Sequence, residues 1–348
     1  MGRLTRRRIV VAGAGAVGSV LALRLRDDGA EVLLADPAPL GANASGVAAG
    51  MLAPAFEAAL DPVSAGHFEL LKAARDLWPA LAERLGVALD RSGALWVGDE
   101  ASNTAVFSRL ETLGARAEMR AAPTPAVFTP EDWTLEPRAT LAALRRAFIE
   151  AGGETRAAAV QAWSGRVARL ADGSSLEADL LVLAAGLSPE GMADPPAELK
   201  ALRPIKGQIA SLEAAAPQDG PVARGEGIYV VPRARGPIVG ATMEVGLRGT
   251  VVDPAATEQL RAAAARLFPA LAASPATGVA GVRAATLDGL PLVGASNIPG
   301  VWLAMGARRN GWLLAPLIAE VIADQLAGGD GSRWAKAFAP GRAELSPP

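Results

Sequence analysis

The 348-residue chain contains no cysteine and a single histidine, His67. The lack of thiols excludes disulfides, thiolate metal sites, redox dithiols and cysteinyl links to a cofactor. The lack of further imidazoles excludes a histidine-rich metal site and a relay of several histidines. We therefore expect no metal site, and we interpret His67 as a structural residue on a helix surface.

The chain also lacks an excess of one charge and a long uninterrupted apolar run. Lysine and arginine number 34 against 36 aspartates and glutamates, and the net charge of −2 argues against nucleic acid as a partner. The most apolar N-terminal stretch, Ile9–Leu23, is interrupted by glycines and falls short of the roughly 20 residues of a membrane span. No small-residue cleavage site of an export signal follows the arginines at 6–8. We expect no nucleic-acid partner, no stable membrane insertion and a cytoplasmic location.

Apolar residues are nevertheless abundant. Hydrophobic residues make up 51% of the chain and charged residues 20%. This balance supplies enough apolar surface for a folded core and excludes a disordered chain. At about 150 residues per domain, the length predicts roughly two domains.

A glycine-rich turn follows the first predicted strand, Ile9–Ala12. Gly13, Gly15 and Gly18 stand in the spacing G-x-G-x-x-G and open a predicted helix. In such a unit the first glycine permits a tight turn and the second lets the backbone approach a pyrophosphate. The third lets helix and strand pack closely.

The residues around this turn complete a dinucleotide-binding pattern. Ala16 and Val17 begin the predicted helix, whose free N–H groups attract phosphate. Asp36 ends the next predicted strand, where an acid accepts hydrogen bonds from ribose hydroxyls. These residues predict a site for NAD or FAD and do not choose between them; the alternative is a close-packed glycine turn without a ligand.

The remaining pattern alternates helices and strands. It predicts a helix over Ser64–Gly86 that breaks near Pro79, because proline removes a helical hydrogen bond. It also predicts a buried strand at Asp179–Gly186, several strands within 204–250, and helices at Asp253–Leu271 and Asn310–Leu326. After Gly328 we expect the chain to fray.

Six sequence blocks carry a resemblance to a known family. They are Asn43–Pro54, Leu202–Gln208, Gly227–Arg233, Val239–Glu244, Gly281–Gly294 and Arg309–Pro316. Together they resemble the D-amino-acid oxidase superfamily of FAD-dependent oxidoreductases, in particular glycine oxidases of the thiamine-pathway type. The blocks stand in the family's order, and the resemblance covers residues 9 to about 320.

The resemblance implies an α/β fold. It consists of a discontinuous FAD-binding, doubly wound (Rossmann-like) domain and an α+β substrate domain with an antiparallel sheet. The FAD-binding domain would comprise 1–88, 140–203 and 280–348, and the substrate domain 89–139 and 204–279.

The resemblance also implies an activity. FAD would oxidise glycine, sarcosine or a small D-amino acid by hydride transfer to flavin N5, giving an imine or oxo acid, ammonia and, with molecular oxygen, hydrogen peroxide. The product could supply thiazole synthesis for thiamine. Two alternatives stay open: a D-amino-acid dehydrogenase with an acceptor other than oxygen, and a flavin-binding subunit of a complex. A homo-oligomer is left open as well.

Three residues are the catalytic candidates that the resemblance implies. Arg283 matches the arginine that binds the substrate carboxylate, and a guanidinium is suited to bidentate carboxylate binding. Its structural alternative is an ion pair with Asp288. Tyr229, the only tyrosine, matches an active-site tyrosine, with a core position as its alternative. Arg309 begins the turn that would bring a helix N-terminus to the flavin.

The family match extends to a larger set of residues. The substrate pocket would include Met51, Met243 and Ala307. The cofactor-binding residues would be Gly13, Gly15, Ala16, Val17, Gly18, Asp36, Ser45, Ala48, Ala49, Gly50, Met51, Val160, Ala185, Gly186, Arg283, Arg309, Asn310, Gly311, Trp312 and Leu313. This chain departs from the family at Ala307 and Arg308, where a histidine and an aromatic residue are common. The pocket would be wider or tuned to a different amine, and the sequence leaves open whether Arg308 points to solvent or faces the pocket.

Overall fold

The computed structural model describes residues 3–122, 124–187, 191–214 and 217–342. The helices are α1 (Ala16–Asp27), α2 (Ala44–Val47), α3 (Pro54–Leu60), α4 (Phe68–Asp76), α5 (Trp78–Leu85), α6 (Glu100–Thr112), α7 (Pro137–Glu150), α8 (Pro254–Leu267), α9 (Gly311–Leu326) and α10 (Ala335–Phe338), with 3-10 turns at Ala197–Ala201 and Pro269–Leu271.

The strands form four sheets in these ranges. They are β1 (Arg8–Ala12), β2 (Glu31–Ala35), β3 (Met51–Leu52), β4 (Leu89–Asp90), β5 (Ala94–Trp96), β6 (Glu118–Arg120), β7 (Ala126–Thr129), β8 (Trp133–Leu135), β9 (Glu154–Arg156), β10 (Val160–Ser164), β11 (Val167–Leu170), β12 (Ser175–Glu177), β13 (Leu180–Leu183), β14 (Arg203–Leu212), β15 (Val222–Gly225), β16 (Ile228–Val231), β17 (Ile238–Gly240), β18 (Glu244–Val245), β19 (Ala276–Ala285), β20 (Leu292–Ala295) and β21 (Val301–Met305).

The first sheet has the strand order β20-β21-β13-β1-β2-β9. All its neighbouring strands are parallel except the edge strand β20. Successive side chains of a strand point to opposite faces, so Ile9 and Val11 pack with α1 and α9, whereas Val10 packs against the small antiparallel sheet β10-β11-β12. Both faces are therefore covered, which explains the almost continuous apolar sequences of β1 and β2.

The second sheet is largely antiparallel. Its path runs β18-β14-β17-β16-β15-β5-β7-β6, and β19 pairs with β14 over ten residues. A doubly wound sheet beside an antiparallel one confirms the predicted α/β fold class. The proposed domain boundaries stay a prediction; β19 runs across the one at residue 280.

Two local expectations have different outcomes. The predicted helix over 64–86 breaks at Leu77, and Pro79 lies in the first turn of α5, where proline is tolerated. The expected fraying after Gly328 is wrong for residues 329–342, and residues 343–348 lie outside the described ranges. Phe338 of α10 is fully buried, and Arg342 pairs with Asp288 at 2.6 Å.

Among the helices described, none is both long and apolar enough to cross a bilayer.

Candidate active site

The glycine-rich turn packs directly against the end of β13. Gly13 has a φ of +113°, and a Cβ there would lie 2.5 Å from the carbonyl oxygen of Ala184. A Cβ at Gly18 would lie 1.8 Å from the carbonyl oxygen of Gly13. Gly13 and Gly18 are therefore required by the chain's own packing, whereas Gly15 faces a cleft.

Two polar side chains hold the rim of this cleft. The Ala14 N–H donates to Asp36 Oδ2 at 2.7 Å, and the Ala38 N–H donates to Oδ1 at 2.8 Å. Each carboxylate oxygen has further acceptor capacity for a hydroxyl group. The Ala16 N–H donates to Ser45 Oγ at 2.9 Å, so α2 lies against the start of α1.

The cleft has a volume of about 550 Å³ and extends from the β1–α1 turn to the start of α9. Trp312 of α9 donates from Nε1 to the carbonyl oxygen of Ser45 at 3.0 Å. This hydrogen bond connects the two ends of the cleft. The walls consist mainly of small residues, with an acid at one end and a helix N-terminus at the other. This arrangement fits an elongated dinucleotide.

A second cavity of about 670 Å³ lies between this cleft and the large antiparallel sheet. Five residues line both spaces: Ala44, Ala48, Arg283, Arg309 and Trp312. A group bound at the end of the cleft would therefore contact a molecule in the second cavity.

Two glycines of the sheet make room for the two candidate side chains. A Cβ at Gly207 would lie 1.8 Å from Arg283 Nη1, so the guanidinium lies across Gly207. A Cβ at Gly240 would lie 2.5 Å from the Tyr229 hydroxyl, so the phenol lies across Gly240. Because neither glycine carries a side chain, Arg283 and Tyr229 can both lie against the wall of the same cavity.

Arg283 has backbone and sulfur contacts. Its Nη1 donates to the carbonyl oxygen of Thr242 at 3.3 Å and lies 3.6 Å from Met243 Sδ. Within the described ranges, no carboxylate oxygen lies within 4 Å of it. Burial lowers the pKa of Arg283, and burial raises the pKa of the Tyr229 hydroxyl. The alternative partner, Asp288, is paired with Arg342 instead.

Arg309 lies at the same cavity but has an acidic partner. Its Nη2 is 2.9 Å from Oε1 of Glu57, and this carboxylate raises the pKa of Arg309. Glu57 belongs to α3 and is 4% exposed, and its Oε2 has no hydrogen-bond partner among the described residues. Glu57 was missed from the sequence; its signal is an acid inside the apolar helix sequence PAFEAAL.

The direction of Arg308, which the sequence leaves open, is inward. It forms an ion pair with Asp61, and the two side chains are 12% and 8% exposed. Ala307 lines the dinucleotide cleft and not the second cavity. The ion pairs Arg308–Asp61 and Arg309–Glu57 therefore connect the turn before α9 to helix α3 and to the residue after its C-terminal end.

The predicted residues divide between the two spaces. The cleft is lined by Gly13, Gly15, Ala16, Val17, Asp36, Ser45, Ala48, Val160, Ala185, Gly186, Arg283, Ala307, Arg309, Gly311 and Trp312. The second cavity is lined by Ala48, Ala49, Gly50, Met51, Tyr229, Met243, Arg283, Arg309, Asn310 and Trp312. Gly18 lies behind the turn and Leu313 is fully buried in the core, so neither is on a wall.

Comparison with known proteins agrees with this geometry. The family model described as DAO, FAD dependent oxidoreductase, matches residues 8–325. The chain is 30% identical over 360 residues to the glycine oxidase of Pseudomonas aeruginosa, covering 92% of this chain and 95% of that protein.

A second relative is much longer. The chain is 32% identical over 343 residues to the tRNA 5-methylaminomethyl-2-thiouridine biosynthesis bifunctional protein MnmC of a Caulobacter species. The match covers 92% of this chain but 54% of that protein, so the chain spans about half of its length.

Among solved structures, the glycine oxidase of Geobacillus kaustophilus is similar, with a TM-score of 0.84 and 24% identity. The match covers 97% of this chain and 99% of that one. At this identity the likeness establishes the fold.

Proposed function

The chain belongs to the DAO family of FAD-dependent oxidoreductases, and from that premise we propose that it oxidises the carbon–nitrogen bond of glycine, an N-substituted glycine or a small D-amino acid. Oxygen is the proposed electron acceptor. With glycine, one water and one oxygen would be consumed, and glyoxylate, ammonia and hydrogen peroxide would be formed.

The cleft and the neighbouring cavity fit FAD. The Asp36 end would hold the adenosine ribose, the start of α1 the phosphates, and the segment 44–51 the ring system. FAD, when bound, supplies a two-electron acceptor for the hydride of the amine-bearing carbon.

Arg283 carries the proposal. It is a cation over Gly207 at the junction of the two spaces, and its described surroundings offer it a carbonyl oxygen and a thioether rather than an acid. The Arg283 side chain is partly buried, and a partly buried cation is stabilised by an anionic partner. The substrate carboxylate would be that partner, held in two hydrogen bonds that fix the angle of the reacting carbon.

Tyr229 and the start of α9 complete the proposed site. The Tyr229 hydroxyl would donate a further hydrogen bond to the carboxylate while the ring excludes water from one wall. The N-terminus of α9 carries a partial positive charge that stabilises negative charge developing next to Asn310 and Gly311. No side-chain base is required, because a neutral amine already has its lone pair available to expel the hydride.

The test is an aerobic assay of the purified yellow protein with glycine, sarcosine and small D-amino acids. We expect peroxide and an oxo acid in equal amounts. Turnover only with an artificial dye would instead indicate a dehydrogenase, and no turnover with either acceptor would contradict the proposal. A role in thiazole formation would be tested by growth of a thiamine-requiring strain that lacks its own glycine oxidase.

The relative named for tRNA 5-methylaminomethyl-2-thiouridine biosynthesis provides a second candidate, an amine carried on a tRNA base. The same carbon–nitrogen chemistry would apply. The net charge of −2 does not favour RNA binding. Incubation with tRNA carrying the modified base, followed by nucleoside analysis, separates the two candidates.

A further inference from the structure

The chain itself occupies some of the N–H groups that the start of α1 would offer to a pyrophosphate. The Ala14 N–H donates to Asp36 at 2.7 Å, and the Ala16 N–H donates to Ser45 at 2.9 Å. Residues 12–17, around the glycine-rich turn, include no basic side chain. The pyrophosphate is the anionic group of FAD, and an anion taken out of water needs an opposite charge or good hydrogen bonds. A basic side chain on another wall of the cleft would supply that charge.

One arginine of the cleft, Arg248, has no acidic partner among the described residues. The arginines that line the cleft are Arg248, Arg283, Arg308 and Arg309. Arg308 and Arg309 each form an ion pair with an acid. Arg283 lies at the junction with the second cavity, where the substrate carboxylate is proposed to bind. No carboxylate oxygen of a described residue lies within 4 Å of Arg248, so its charge is available to a ligand in the cleft.

The segment 247–252, which contains this arginine, is held at both ends. Before it, the Gly246 N–H donates to the carbonyl oxygen of Pro204 at 2.8 Å. After it, the Asp253 N–H donates to Gln208 Oε1 at 2.8 Å. Every residue of the segment is exposed, and the segment forms neither helix nor strand. Its two ends are therefore fixed while its side chains are accessible to a ligand.

The first of these two ends lies beside the cleft. Pro204 on β14 is paired with Ala284 on β19, and Ala284 lines the cleft. Arg248 and Thr250 line it as well, whereas the residues next to each of them do not. Since residues two positions apart in an extended chain point to the same side, Arg248 and Thr250 both face the cleft. The glycine-rich turn borders the same cleft from the first sheet.

We propose that Arg248 binds the pyrophosphate of FAD from the side of the cleft that faces the glycine-rich turn. The planar N–H donors of a guanidinium match pairs of phosphate oxygens. The segment 247–252 would then lie over the bound cofactor and slow its release. Arg248 lies outside the six sequence blocks that carry the family resemblance. The proposal concerns cofactor binding and does not depend on which amine is oxidised.

The exposure of Arg248 determines how this contact responds to salt. The distance over which an exposed charge acts falls from about 10 Å at 0.1 M ionic strength to about 3 Å at 1 M. An attraction between an exposed guanidinium and a phosphate is weakened by this change, whereas the loss of a packing contact is not relieved by it. Salt dependence therefore distinguishes a charge contact from general damage to the fold.

The test is the dissociation constant of FAD, measured from the flavin fluorescence that appears when the holoenzyme is diluted. At about 0.1 M salt, Arg248→Gln should raise the Kd about 10-fold, as expected for losing a hydrogen bond between charged groups. At about 1 M salt, the Kd values of the variant and the wild type should lie within about twofold of each other. Arg248→Lys should have an intermediate Kd at the lower salt concentration, because it keeps the charge but not the planar donors.

Arg235→Gln is the matched control. Arg235 is also exposed and lies between β16 and β17 of the same sheet, but it lines neither the cleft nor the second cavity. Its loss should leave the Kd of FAD unchanged at both salt concentrations. An unchanged Kd in Arg248→Gln, an equal increase in Arg235→Gln, or an increase in Arg248→Gln that persists at the higher salt concentration would overturn the proposal.

A second ligand locates the contact on the cofactor. ADP-ribose has the pyrophosphate and lacks the flavin, so it should displace FAD from the holoenzyme, and Arg248→Gln should raise its Kd by the same factor as the Kd of FAD. A loss of affinity confined to FAD would place Arg248 at the flavin and overturn the proposal, as would the absence of displacement in the wild type. Both measurements follow cofactor binding, so they decide this proposal whether or not any amine is oxidised.

Discussion

The most informative substitution leaves every charged residue of the cavity in place. Gly207 lies beneath the Arg283 guanidinium, and a Cβ there would lie 1.8 Å from Nη1 and 2.3 Å from Cζ. Gly207→Ala must therefore displace the end of the Arg283 side chain. The backbone at Gly207 lies outside the left-handed region, so alanine causes no strain in the main chain.

The displacement sets the size of the effect. Nη1 must move by about 1.6 Å to reach the ordinary contact distance of 3.4 Å. Misplacement of a positioning group by about 1 Å can cost roughly 100-fold in rate. We expect kcat/KM for glycine to fall by about 100-fold, mainly through a higher KM, because carboxylate binding is what the movement disturbs.

Steady-state kinetics with glycine, together with flavin content and Tm, form the assay. Gly66→Ala is the control, since a Cβ there meets nothing within 4 Å. The control should match the wild type in all three measurements. If Gly207→Ala binds FAD normally and its KM for glycine lies within twofold of the wild type, Arg283 does not hold the carboxylate from this position.

Four further outcomes are expected. Arg283→Ala should weaken carboxylate binding by about 2–5 kcal/mol, the usual cost of removing one partner of a buried charge pair, measured as the dissociation constant of acetate. Tyr229→Phe should raise the KM for glycine about tenfold with a smaller change in kcat, because one hydrogen bond to a charged group is lost. Glu131, held by Arg116 at 2.8 Å and by Arg75 at 2.6 Å, has its pKa lowered from 4.5 to about 2, so its contribution to stability is complete above pH 4.5 and is lost as the pH falls through 2; Glu131→Gln should remove up to about 3 kcal/mol of this pH dependence in urea titrations. Burial raises the pKa of Asp132 from 3.8 to about 6, so its contribution is present below pH 3.8 and is lost as the pH rises through 6; Asp132→Asn should flatten the unfolding free energy between those values.

The parts of the fold that follow from local chemistry could be predicted from the sequence. The β1–α1 turn requires glycine at position 18 because a Cβ there would lie 1.8 Å from the carbonyl oxygen of Gly13, five residues earlier. Pro79 lies in the first turn of α5. Its ring removes a backbone N–H donor, which explains why the helix is interrupted just before it. The apolar strands β1 and β13 reveal a sheet covered on both faces.

The contacts that position the site are made by residues distant in sequence, and no local pattern predicts them. Glu57 and Arg309 are 252 residues apart and meet because α3 and the start of α9 line the same cavity. In the sequence, Gly207 and Gly240 cannot be distinguished from other strand residues. Only the folded sheet shows that the Arg283 and Tyr229 side chains lie across them. The sequence leaves the direction of Arg308 open, because its partner Asp61 lies far away along the chain.

We propose above that Arg283 binds the substrate carboxylate beside bound FAD. Anaerobic titration of the yellow holoenzyme with glycine, followed by visible absorbance, measures this binding. We expect saturable bleaching of the flavin in the wild type and a half-saturating glycine concentration at least about 30-fold higher in Arg283→Ala. A protein that stays colourless after reconstitution with FAD, or equal half-saturating concentrations in both proteins, would show that Arg283 does not have this role.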